Sequence, residues 1–133
     1  MPSPQRVQPL WTLSALTIPE REEFLARLLA SLDATVMPAN TQVDIVYNSD
    51  VREGRFEIEK RIQAMAKKLP VTVHFTGGEV SIASGRALQL NSCKTPLVAF
   101  VDDDVTLHDD VLSAIERTMR DVPLGLGCAS PTT

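Results

Sequence analysis

Apolar residues come in short runs separated by polar turns, and two spacings alternate along the chain. Leu10 to Ile18 (LWTLSALTI) is rich in strand formers and stops at Pro19, whose missing N–H the first turn of a helix tolerates. A first strand is expected there. From Glu22 onward, Phe24, Leu25, Leu28, Leu29 and Leu32 fall on the i, i+4 rows of one helical face, with Pro38 beyond its end. Val43 to Tyr47 predicts a second strand, closed by the turn formers Asn48, Ser49 and Asp50. Ile58, Ile62, Met65 and Leu69 then recur at helical spacing up to Pro70. Val71 to Phe75 alternates as a strand does and ends at Thr76-Gly77-Gly78, after which Ile82, Ala83, Ala87 and Leu90 predict a third helical face. Leu97 to Val101 is a continuous apolar run, the pattern of a strand buried on both faces. Val111, Leu112, Ile115 and Met119 predict a fourth helix, and Leu124 to Cys128 the beginning of a fifth strand.

Strict alternation of strand and helix predicts an α/β fold of the Rossmann-like kind: an open, mostly parallel sheet with helices on both faces and right-handed crossovers. At 133 residues, one domain over 10–128 is expected, with a flexible leader over 1–9 and a flexible tail over 129–133. A hydrophobic share of 44% and a charged share of 23% fit a compact globular chain and exclude a disordered or fibrous one. The net charge of −4 supplies no general field for nucleic acid or an anionic membrane, so an anionic ligand needs local groups to hold it. Leu10 to Ile18 is far short of the ~20 apolar residues of a membrane span, and the start of the chain lacks the apolar core of a signal peptide. A cytoplasmic location is expected. Cys93 and Cys128 are too far apart for a CxxC pair and read as two small hydrophobes.

In parallel sheets of this kind ligands bind beyond the carboxyl ends of the strands, near a reversal of strand order. Those ends carry Ile18-Pro19-Glu20-Arg21, Asn48-Ser49-Asp50, Thr76-Gly77-Gly78-Glu79 and Asp102-Asp103-Asp104. Three consecutive carboxylates repel one another at neutral pH unless a cation or hydrogen-bond donors neutralise them. A divalent metal is the economical answer. In extended backbone Asp102 and Asp104 share one side with Cα atoms ~7 Å apart, and oxygen ligands select Mn²⁺ or Mg²⁺ over zinc. The competing role for Asp103, Asp104, Asp109 and Asp110 is to cap the helix that follows.

Ala99-Phe100-Val101-Asp102-Asp103-Asp104, preceded by Ser84-Gly85-Arg86 and by Thr17-Ile18-Pro19-Glu20-Arg21, resembles the donor-binding half of a family-two-type glycosyltransferase with the GT-A fold. The resemblance covers about residues 10 to 128. It implies that Asp104 ligates a divalent metal bridging the donor's diphosphate, that Asp102 contacts the ribose or the metal shell, and that Asp103 assists. Arg86 matches the arginine of the family's Ala-Arg-Asn pattern and would face the nucleotide, although Gly85 and Ala87 replace its neighbours. The aspartate with which the family reads the base aligns with Tyr47 or Asn48, with Asp50 slightly later; the backbone around Ile18 and Pro19 would flank the base, with Arg21 nearby. The implied donor is a UDP- or GDP-sugar, and the implied reaction moves its sugar to an acceptor hydroxyl. The family's general base lies well downstream of the aspartates, beyond the last residue here.

Two other functions compete. One is a non-catalytic nucleotide-sugar-binding or interaction domain. The other is a phosphatase of the haloacid-dehalogenase type, in which Asp102 would accept the phosphoryl group and Asp104 act as general acid, because Asp102-x-Asp104-x-Thr106 fits that nucleophile loop. An open sheet edge beside the fourth strand predicts a homodimer or a partner subunit that completes the fold.

Overall fold

The computed structural model describes residues 11–34 and 41–107. Strand β1 (Trp11–Thr17) leads through a 3₁₀ turn (Pro19–Arg21) into helix α1 (Glu22–Ala34). There follow β2 (Gln42–Tyr47), α2 (Arg55–Gln63), β3 (Val71–Phe75), α3 (Ile82–Ser92) and β4 (Leu97–Asp102). All three strand pairings are parallel, in the order β3-β2-β1-β4, which is the α/β sheet expected from the alternating pattern. The expected fourth helix and fifth strand, like Pro38, Asp109, Asp110 and Cys128, lie outside the described residues.

Alternation along each strand sends odd and even residues to opposite faces. Leu13, Ala15, Val43, Ile45, Tyr47, Val71, Val73 and Val101 meet Leu25, Leu28, Leu29 and Leu32 of α1 and Ile62 of α2 in one core. The other face is polar near the strand starts: Thr12 and Ser14 of β1 stand in register with Gln42 and Asp44 of β2, and Asp44 with Thr72 of β3. Helix α3 covers that face. Gln89 donates through Nε2 to the Ser14 hydroxyl at 2.9 Å, both side chains being fully buried. A Cβ at Gly85 would lie 2.7 Å from Leu16 Cδ2, so glycine lets α3 approach β1 this closely.

Four expectations change. Helix α2 ends at Gln63 rather than continuing to Leu69. Gln63 Nε2 donates to the Val71 carbonyl, and Asp33 at the end of α1 accepts from the Lys67 and Lys68 N–H groups. These bonds turn the chain into β3 before the apolar spacing runs out. Helix α3 points Gly85 and Gln89 inward, while Ile82 and Leu90 stay exposed, because the face beneath it asks for a hydrogen-bonding side chain and a close approach. Among the described residues β4 is an edge strand, and Phe100 is 40% exposed rather than buried on both sides. Finally, the backbone is not extended through the aspartates: β4 ends at Asp102, and a turn closed by Val105 N–H to Asp102 C=O carries Asp103 and Asp104.

Candidate functional site

The strand order reverses between β1 and β4: the chain moves outward from β1 through β2 to β3, then returns past both to lay β4 on the other side of β1. At their carboxyl ends lies a cleft of about 350 Å³ lined by Leu16, Thr17, Ile18, Arg21, Asn48, Ile82, Arg86 and the three aspartates. This is where a doubly wound sheet leaves room for a ligand.

The turn after β4 splits the aspartates into one inward and two outward groups. Asp103 is buried and accepts from the Thr17 hydroxyl at 2.9 Å and from Arg21 Nε at 3.0 Å, with Arg21 Nη2 at 2.9 Å. Arg21 Nη2 also reaches Asp104 Oδ2 at 3.3 Å. The hydrogen bond to Asp103, reinforced by the charges of both carboxylates, raises the guanidinium pKa above its already high ordinary value. Asp102 faces Arg86 Nη2 at 3.4 Å. Two guanidinium groups therefore supply much of the neutralisation that the sequence assigns to a metal.

Arg86 is held in turn. Its Nη1 donates to Gln89 Oε1 at 3.1 Å and its guanidinium lies 5.2 Å from the centre of the Phe100 ring, so Ser14, Gln89, Arg86 and Asp102 form one chain of contacts from the sheet to the cleft. Gly85, which departs from the alanine of the resembled pattern, provides the approach that makes this chain possible.

Asn48 lines the cleft, but its amide is engaged. Nδ2 donates to the Val80 carbonyl at 2.9 Å, and Oδ1 accepts from the Val80 N–H at 2.9 Å, a two-sided bond that pins the loop after β3. Gly77, with φ +76, gives that loop the left-handed residue its turn requires. The Ser81 hydroxyl caps α3 by accepting from the Ser84 N–H, so Asn48 fixes where the helix begins. Tyr47 points away into the core and donates to Glu22, which also pairs with Arg61; burial pushes the phenol to about 12 and the Arg61 contact lowers the Glu22 carboxyl.

Of the residues proposed from sequence, Arg21, Asn48, Arg86, Asp102, Asp103 and Asp104 meet at this cleft, whereas Pro19 opens the 3₁₀ turn and Asp50 is exposed outside the lining. Sequence reasoning quotes Thr17 in the motif at the first strand end without giving it a role, and misses Gln89 and Ile82 as site residues. Gln89 lies three residues after Arg86 on the helix, which is the only signal it carries.

Among the described residues no three His, Cys, Asp or Glu groups form a metal cage. Asp102 and Asp104, with side chains 70% and 52% exposed, present oxygen donors of the kind a hard cation takes. A second cavity, of about 210 Å³, lies on the polar face between Asp44, Thr72, His74, Ser92 and Lys94.

The four-stranded parallel α/β fold has counterparts among solved structures. The chain is similar to the crystal structure of S. aureus TarS, a glycosyltransferase, with a TM-score of 0.67 at 18% identity over 84% of this chain and 20% of that one. It is similar at the same identity and coverage to TarS residues 1–349 in complex with UDP (TM-score 0.67, 32% of that chain) and without it (0.62, 31%). The chain thus spans a fifth to a third of these structures. No protein-family model and no curated protein matches the sequence. Among the described residues no helix is long and apolar enough to cross a membrane.

Proposed function

We propose that this chain is the donor-binding half of a glycosyltransferase, holding a nucleotide-diphosphate sugar at the β1/β4 cleft for transfer of its sugar to an acceptor hydroxyl. The observation that carries the reading is the cleft itself: two outward carboxylates and an oriented arginine at the carboxyl ends of adjacent parallel strands. The UDP complex of the similar TarS structure supports a nucleoside diphosphate as the ligand class.

In this reading Asp102 and Asp104 hold Mn²⁺ or Mg²⁺. A divalent cation bound there supplies stabilisation of the charge that develops on the departing nucleoside diphosphate. Arg86, fixed by Gln89 and Phe100, presents its guanidinium to the phosphates with little ordering left to do. Leu16, Ile18 and Ile82 give the cleft its apolar part, suited to the flat face of a base. Among the described residues the cleft lining has no carboxylate besides the three aspartates.

Isothermal titration of UDP, GDP and their sugars, with and without Mn²⁺, tests this. Binding that needs the metal and falls at least tenfold in Asp104→Ala is the expected result. Absence of binding by every nucleotide in the folded wild-type chain overturns it.

A further inference from the structure

Arg21 holds two aspartates unequally. Toward Asp103 it makes close contacts through both Nε and Nη2, at 2.9–3.0 Å, to a carboxylate whose side chain is 7% exposed. Toward Asp104 it makes one contact at 3.3 Å, to a side chain 52% exposed in a turn. The guanidinium is also seated 4.9 Å from the centre of the Phe24 ring, and the Arg21 N–H is bonded to the Ile18 carbonyl at 3.0 Å. The arginine is therefore anchored, and Asp104 is the partner that can leave without disturbing the anchor. Nη2 carries two N–H groups, so release of Asp104 leaves one on Asp103 and turns the other toward the cleft.

We propose that Arg21 is a latch on Asp104 that exchanges it for an anionic oxygen of the donor when a cation takes Asp104. The idea rests on the donor-site reading above and adds a selectivity to it. A bare divalent cation must displace the guanidinium from Asp104 and leaves the freed N–H without a partner. A cation already bound to a nucleoside diphosphate brings the replacement partner with it. The latch thus makes the site prefer the metal–diphosphate complex over the free metal.

The test compares wild type with R21M/D103N, which removes the latch and its buried counter-charge together and so leaves no unpaired buried carboxylate. Mn²⁺ affinity is read by electron paramagnetic resonance with and without UDP, and thermal melting confirms folding. In the double variant we expect bare Mn²⁺ to bind about two- to fivefold more tightly, the range an exposed ion pair is worth, and the gain in Mn²⁺ affinity from UDP to shrink. Equal weakening of both affinities marks Arg21 as a purely structural clasp and overturns the latch, as does an unchanged ratio. If wild type takes up no Mn²⁺·UDP but the double variant does, Arg21 only blocks the site and the exchange is overturned. If neither does, the donor-site reading fails and the latch with it.

Discussion

The two faces of the sheet are built on opposite rules. Under α1 and α2 the sheet is apolar up to the strand ends, and four buried leucines of α1 fill the space. Under α3 the sheet offers buried Thr12 and Ser14 beside Leu16, and the helix answers with a glutamine and a glycine. The first face stabilises by area removed from water, which is insensitive to direction. The second depends on directed bonds, and those bonds end at Arg86 and Asp102 in the cleft. The apolar face accounts for the stability of the fold, whereas the polar face aims a functional side chain.

Substitutions that treat the faces alike should expose the difference. On the apolar face, Leu28→Ala is expected to cost about 2–5 kcal/mol in denaturant unfolding, by lost burial and the cavity left behind, with nucleotide affinity little changed in the folded fraction. A loss of affinity larger than the loss of stability would show that the faces are not separable.

On the polar face, Gln89→Leu should cost less, about 1–3 kcal/mol, because it strands the Ser14 hydroxyl. Replacing both partners, in S14A/Q89L, should restore most of that stability while UDP binding stays weakened, since Arg86 has still lost its Gln89 contact. Recovery of both properties together would place the aim of Arg86 elsewhere.

The smallest effect concerns pH. Burial raises the Asp44 carboxyl above its ordinary value of 3.8, against the pull of His74, whose Nε2 lies 3.6 Å away, and of Lys94. The native state then holds this proton more tightly than the unfolded chain does, so stability falls as pH rises from the unfolded value through the native one. Asp44→Asn should remove that decline and flatten the melting profile above pH 4. A steeper profile in the variant would mean that the carboxylate stabilises the fold instead.

The same contrast explains what the sequence reveals. Helix α1 is legible because its leucines at i, i+3, i+4 face apolar strands, where periodicity and burial coincide. In α3 the periodic apolar residues Ile82 and Leu90 are the exposed ones, because periodicity cannot report that the partner surface is polar. The aspartate triplet is legible as a site by its position after a strand. The unequal roles of its members are not, since they follow from a turn and from Arg21 and Thr17, more than 80 residues earlier in the chain. Asn48 is legible as a cleft residue, but only the structure shows its amide bonded on both sides to Val80.

The arrival of β4 beside β1 also sets the order in which the protein can become functional. Units β1-α1-β2 and β2-α2-β3 join neighbours in sequence, whereas β4 must close a loop around both before Asp103 can meet Thr17 and Arg21. Long-range closure of this kind is slow relative to local pairing. The nascent chain can therefore gather its apolar layer well before it owns a cleft, and ligand capture becomes a signal that β4 has docked.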